Sequence, residues 1–455
     1  METNTVKKVI IGLEARKKLK AGVDLCADVV KVSMGGNGKN VAIYNGVTTE
    51  IFNDGVSIAK EVNQKDETLQ SGIMLARQCA EQTNKDAGDG TTTTIVLLQA
   101  LLKEIITDLS IESPRVVREN LHKEAESILS RIEPKEVKTK EEIYNIALTS
   151  SLDEKVAGIL SSIFDTLGKN AKVTTEETDK DCVESEIVEG MQFEAKSLSN
   201  NILQNLSDEK IELNNVDVLY LEKADTIEKI QDKISSMSEE RRTLVVISNQ
   251  FTQPVLLALM NPSFKFYPVQ NNEINNKEDI PVFIGSDLVK KVIIEKDRIT
   301  LIGGKGNKSE HLEALKKKLE SAESEYEKEL IEKRIASLES GIAIVKVGKA
   351  TDAERGESVL KIEDAINAVK GAMESGYVKG GGLALKEAGV GGILEKVCAS
   401  PYEQIVKNGG DKEVKETVID SFKSVKFSLL NALSTACSIL TVEALLVEEK
   451  EDEQD

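Results

Sequence analysis

The chain has 455 residues, 40% hydrophobic and 30% charged, which allows roughly two to four domains. A net charge of −19 opposes the basic surface that nucleic-acid binding needs, and the absence of Trp with aromatics at only 4% removes the usual stacking platforms for single strands. There is no apolar run of membrane-spanning length, no signal core in Met1–Lys8 and no CxxC pairing among Cys26, Cys79, Cys182, Cys398 and Cys437, so the expectation is a cytoplasmic protein with reduced thiols. His122 and His311 are the only histidines and both lie on charged helical stretches, which disfavours a Cys–His dyad or a His-based metal site.

In chain order, Leu25, Val29, Val30 and Val32 mark a helix leading into a Gly-rich loop, Ser33-Met34-Gly35-Gly36-Asn37-Gly38-Lys39-Asn40. This loop lacks the spacing of a Walker P-loop or a dinucleotide fingerprint. Alternating Val41, Ile43 and Val47 around Asn45-Gly46 predict a hairpin between Asn40 and Ile51. Phe52-Asn53-Asp54-Gly55 is a turn before another helix, with Asp54 either a turn-former or a carboxylate aimed at a site. Leu69, Ile73, Ala76 and Ala80 fall at helical spacing, as do Ile95, Leu98, Leu101, Leu102 and Ile105.

Between these helices lies Asp86-Ala87-Gly88-Asp89-Gly90-Thr91-Thr92-Thr93-Thr94. Glycines let several backbone N–H groups converge, and the dipole at a helix start favours phosphate. A carboxylate inside such a cradle repels its ligand unless a hard cation such as Mg²⁺ lies between them, which gives Asp89 a purpose. Taken alone, the run reads equally as a phosphate cradle or as a Gly/Thr turn with an ordinary N-cap.

Pro134 interrupts a charged stretch and reads as a linker. From about Lys172 to Gly348 the pattern turns to mixed α/β. Strands are expected at Thr243–Ile247 and Ile280–Ile284, and as a pair, Val292–Ile294 with Ile299–Ile302. Apolar residues three and four apart between Ser309 and Ser340 predict an amphipathic helical hairpin or coiled coil, and Gly341 opens an alternating strand. Helices return after Glu363, with Asp364 on the first and Gly380-Gly381-Gly382 between two. A long apolar helix is expected from about Val425 to Val447, before an acidic tail, Glu448–Asp455. The fold class expected is multidomain, α and α+β: a discontinuous helical domain enclosing an inserted α/β domain.

These motifs, together with Glu189-Gly190-Met191-Gln192-Phe193, resemble the group I chaperonins, the Hsp60 type, over nearly the whole chain. The resemblance implies an equatorial ATP-binding domain at 1–134 and 375–455, an intermediate hinge domain at 135–188 and 343–374, and an apical polypeptide-binding domain at 189–342. It implies that Ser33, Met34, Gly35 and Gly36 lie along the phosphates and that Asp89 holds Mg²⁺. Gly90, Thr91, Thr92 and Thr93 would bind phosphate oxygens, Gly381 and Asp420 would lie by the ribose and adenine, and Asn53 joins the same set. Asp54 and Asp364 match the carboxylates that orient and activate the attacking water, Asp364 reaching the nucleotide only when the intermediate domain swings down. Ile202, Ile230, Ile234, Val255, Leu259 and Met260 match a groove for unfolded polypeptide and a cochaperonin loop. The implied function is an ATP-dependent folding chamber, a homo-oligomeric ring of seven, with ATP hydrolysis setting its cycle.

The chain departs from the family in places. Gly36 stands where Pro is usual, and Asn53 where a Lys helps hold a monovalent cation, which leaves a K⁺ requirement open. The stretch between Gly410 and Val418 is short and lacks the adenine-contacting Tyr-Asn-Ala segment. Ser197 and Asn201 replace tyrosines at the apical tip, and Glu403 replaces a basic residue at the ring–ring contact. Two other readings follow: a holdase or adaptor with little or no ATPase activity, and a small-molecule phosphotransferase. Retention of Asp54, Asp89 and Asp364 together favours the ATPase, and no acceptor pocket with its own base is apparent for the phosphotransferase.

Overall fold

The computed structural model describes residues 7–44, 46–47, 49–107, 113–198, 211–236, 243–259, 265–273, 276–285, 288–295, 297–322, 324–339, 341–409, 414–415 and 417–448. Its contacts divide the chain into two compact units. The first comprises residues 1–169, 175–184 and 346–455, and the second residues 170–174 and 185–345. The segments expected as equatorial and intermediate domains thus fall almost entirely in the first unit. Among the described residues, no helix is long and apolar enough to cross a membrane.

The first unit is built on helices. In α1 (Leu13–Val30) Ala15, Leu19, Val23, Cys26, Ala27 and Val30 form a buried stripe at three- and four-residue spacing. It crosses α3 (Glu67–Ala87) at Gly22 and Gly72, where any Cβ would overlap a backbone carbonyl of the other helix, Leu69 O and Leu19 O respectively. Glycine therefore sets how closely the two axes approach. Next comes α4 (Thr91–Thr107), whose Ile95, Leu97, Leu98, Leu101 and Leu102 are buried on several sides, the pattern of a central helix.

The C-terminal segment corrects one expectation. Helix α16 (Phe422–Leu440) stops at Leu440, and Ala444–Glu448 is a strand that pairs antiparallel with Lys7–Ile11, Val9 lying opposite Leu446. Apolar residues there match either period, and the N-terminal strand supplies the ladder that settles it.

The second unit is a closed barrel. Its six strands are Gly190–Ser197, Ile211–Ala224, Thr243–Phe251, Lys265–Asn271, Leu288–Ile294 and Arg298–Ile302. Thr243–Phe251 runs parallel to its neighbours on both sides, whereas the other pairings are antiparallel. The expected charged hairpin is present as α11 (Ser309–Ser321) and α12 (Glu325–Glu339), and it buries Leu315, Ile331, Ile335 and Leu338 against the barrel core.

Residues Asp279–Ile284, expected in part as a strand, form the short helix α10. Ile280, Phe283 and Ile284 at i, i+3 and i+4 share its buried face, Pro281 is tolerated in a first turn, and Gly285 at φ +65 ends it. Helical period outweighs β-branched content here. Asp279 is buried and accepts from Arg334 Nε (2.9 Å) and Nη2 (2.7 Å), with His311 Nε2 at 2.7 Å, which ties α10 to the hairpin.

Candidate functional site

The loop between α3 and α4 is held in one shape by its glycines. Gly88 caps α3 at φ +71, and its N–H donates to Asn84 O at 2.8 Å. A Cβ on Gly88 would lie 2.5 Å from the Cβ of Asn367, on α13 (Asp352–Ser375), so glycine is what lets α13 sit against the loop. Gly90, at φ +88, donates to Asp89 Oδ1 at 2.7 Å, and its carbonyl accepts from Ser428 Oγ of α16 at 2.9 Å. Thr94 Oγ1 bonds Thr83 Oγ1 and Gly90 O, so it secures the helix start, whereas Thr91, Thr92 and Thr93 line an adjoining cavity.

Asp54 caps α2 (Gly55–Glu61), accepting from Ser57 N–H at 2.8 Å. Asn53 donates to Asn40 Oδ1 at 2.7 Å. The Ser33 loop is pinned from across the chain: Asn408 Nδ2 donates to Lys31 O and Met34 O, both at 2.9 Å. At the other end, Gly381 takes φ +60 and donates its N–H to Asp420 Oδ2 at 2.9 Å.

All of the residues expected at the nucleotide and at the attacking water meet in one cavity of about 550 Å³: Ser33, Met34, Gly35, Gly36, Asn53, Asp54, Asp89, Gly90, Thr91, Thr92, Thr93, Asp364, Gly381 and Asp420. Asp364 lines it together with Asp89. Ile405, Leu152 and Val414 supply apolar wall near Gly35, Gly36 and Gly381 respectively.

The carboxylates perturb one another. Burial, offset by the Gly90 N–H and reinforced by the charge on Asp54, pushes Asp89 up to about 6. Burial and then the charge on Asp89 push Asp420 up to about 7, against the Gly381 N–H. Burial first, then Asp89, Asp54 and Glu363, hold Asp364 well above the usual carboxylate range. A cavity of this kind favours cations and admits an anion only in a cation's company. Among the described residues no group of three or more His, Cys, Asp or Glu is placed to hold a metal. One carboxylate beside hydroxyls suits Mg²⁺, which keeps water and phosphate oxygens as its remaining ligands.

The expected polypeptide groove is placed differently. Ile230, Val255 and Leu259 are buried with Ala224, Leu244, Val246 and Phe266, as core beneath the helices Glu228–Ser236 and Gln253–Leu259. Periodicity identified the apolar face correctly, but that face is covered by the barrel. Among the described residues here, the large apolar side chains that are exposed are Leu257 (66%) and Ile227 (37%), the latter just before the first helix. Ile202, Met260 and the side chain of Ile234 lie outside the described residues. Sequence reasoning also missed Asn408 and Lys361, the latter at helical spacing from Asp364, which was the signal that could have found it.

A discontinuous helical unit carrying this cavity, with a barrel unit inserted in it, is the fold of a chaperonin. It matches chaperonin gp146 from the bacteriophage EL 2 (Pseudomonas aeruginosa), solved in the presence of ATP-BeFx, with a TM-score of 0.66 at 20% identity over 97% of this chain and 99% of that one. A second crystal form of gp146 gives 0.67 at 19% identity over the same shares. In sequence, residues 26–388 match the TCP-1/cpn60 chaperonin family. The chain is also 30% identical to the chaperonin GroEL of Acholeplasma laidlawii (strain PG-8A), over 98% of each. It belongs to the TCP-1/cpn60 chaperonin family.

Proposed function

We propose that this chaperonin binds and hydrolyses ATP in the cavity and encloses non-native polypeptide within a ring of identical subunits, assisting its folding. The observation that carries this is the meeting of Asp54, Asp89 and Asp364, from three separate segments, around the Gly90–Thr93 helix start. The backbone N–H groups and hydroxyls of that start bind phosphate oxygens, and the Ser33–Gly36 loop lies along the rest of the phosphate chain. Mg²⁺ at Asp89 would neutralise phosphate charge. Asp54 and Asp364 orient the attacking water, and Asp364, with its raised proton affinity, takes the water's proton. Asp420 and Gly381 hold the ribose, and the apolar wall at Ile405 and Val414 accepts the base.

The ring, seven-membered by family resemblance, draws support from an exposed apolar strip on the terminal strand pair, Val9 (55%), Ile11 and Leu446 (58%), continued by Leu13 at the start of α1. Such a strip on an open sheet edge suits a subunit contact. Leu257 and Ile227 offer the apical contact to unfolded segments and to a cochaperonin loop. The division into equatorial, intermediate and apical domains belongs to the same proposal.

Refolding of a chemically denatured substrate, with and without ATP, tests the function, and native mass spectrometry tests the ring. The proposal expects ATP-dependent recovery of the substrate and a ring that Val9→Lys with Leu446→Lys breaks into smaller species. Substrate capture without ATP-dependent release, or a monomer under all conditions, would contradict it.

A further inference from the structure

The cavity described above is lined by Asp54, Asp89, Asp364 and Asp420, and by three lysines: Lys361, Lys379 and Lys415. Two of the lysines are poorly placed to offset this charge. Lys379 and Lys415 are exposed, and the Lys379 ammonium is taken by both carboxylate oxygens of Glu387, at 2.7 and 2.9 Å. Lys361 is different. It is half-buried on α13 and stands three residues before Asp364, on the same helical face. Helical side chains lean toward the N-terminus, so the Asp364 carboxyl leans toward the turn that carries Lys361, and Lys361 in turn leans toward Glu357. Lys361 Nζ donates to Glu357 Oε1 at 2.7 Å, which uses one of its three donors and steadies the side chain against the helix.

We infer that Lys361 is a ligand of the terminal phosphate, and that through it the cavity distinguishes a nucleoside triphosphate from a diphosphate. This rests on the proposal that ATP occupies the cavity with its terminal phosphate beside Asp364. A phosphate entering there meets three carboxylates. A cation at Asp89 offsets the charge on one side, and Lys361 supplies the offset on the Asp364 side, with its two remaining donors directed at phosphate oxygens. Asn53, which carries no charge and is bonded to Asn40, cannot do this. A diphosphate does not extend to Lys361, so the residue acts on triphosphate affinity alone.

Calorimetric affinities for a non-hydrolysable ATP analogue and for ADP, both with Mg²⁺, test the inference on wild type, Lys361→Met and Lys361→Arg. The expected result is a loss of about tenfold for the triphosphate analogue in Lys361→Met, an ADP affinity within about twofold of wild type, and recovery of most of the loss in Lys361→Arg. The unchanged ADP affinity doubles as the control for folding. Equal losses for both nucleotides, or none for either, would overturn the inference and leave Lys361 as an intrahelical partner of Glu357. Wild type that binds neither nucleotide would overturn the reading of the cavity as an ATP site, and the inference with it.

Discussion

After burial, the charge on Asp89 is the largest influence raising the Asp364 carboxyl above its usual range. The first residue lies in the loop between α3 and α4 and the second on α13, and that helix touches the loop one turn away, Asn367 against Gly88. A glycine outside the cavity lining thus helps set the distance between the proposed base and the phosphate loop.

Gly88→Ala should separate these roles. The substitution strains a residue at φ +71, by roughly 1–2 kcal/mol, and pushes Asn367 away. We expect the hydrolysis rate to fall at least tenfold while ADP affinity changes little, read from steady-state kinetics beside calorimetry. Equal damage to both would mean that the loop itself had collapsed.

The raised carboxylates make the ligand-free protein sensitive to alkali. Asp420 at about 7 and Asp89 at about 6 bind protons more tightly than the unfolded chain does, where a free Asp titrates near about 3.9. The stabilisation is complete below about pH 4 and is lost as pH rises through about 6 to 7. Asp420→Asn keeps an acceptor for the Gly381 N–H and removes the charge. Thermal melts of the nucleotide-free variant should gain a few degrees over wild type at pH 8 and match it near pH 4. A loss at pH 8 would show that the Asp420 charge is stabilising.

Metal removal should act through Asp89. In wild type, chelating Mg²⁺ leaves phosphate facing the Asp89 charge, and triphosphate affinity should drop about tenfold or more. In Asp89→Asn the affinity should be nearly indifferent to Mg²⁺, as titrations with and without a chelator would reveal. An undiminished Mg²⁺ effect in that variant would move the metal elsewhere.

The helix Gln253–Leu259 offers a paired test of surface against core. Leu257→Ser, at an exposed position, should weaken capture of an unfolded substrate and leave the melting temperature within about a degree. Val255→Ser, at a buried one, should destabilise by about 2–3 kcal/mol. Capture assays with both variants would reject the assignment if Leu257→Ser behaved as wild type.

The site was more legible in the sequence than the surfaces were. Gly90, Asp89 and Gly381 are dictated by local chemistry: a positive φ, a carboxylate beside a phosphate cradle, a backbone N–H aimed at Asp420. Such demands leave marks in the chain itself. Lys361 and Asn408 are common residue types on ordinary helices, and only the folding that sets α13 against the α3–α4 loop and Asn408 against the Ser33 loop gives them a place. Likewise, the spacing of Ile230, Val255 and Leu259 specified an apolar face, but spacing carries no information about what covers it. Ile280–Ile284 and the segment after Leu440 failed for a related reason, since short apolar runs suit either period until a cap or a partner strand decides.

The most direct test of the central claim is ATP hydrolysis measured beside ATP binding in wild type and Asp364→Ala. The account predicts that wild type hydrolyses ATP, that the variant loses turnover by about 10²–10⁴, and that it still binds ATP with nearly unchanged affinity. Hydrolysis at the wild-type rate in Asp364→Ala, or none in wild type, would contradict it.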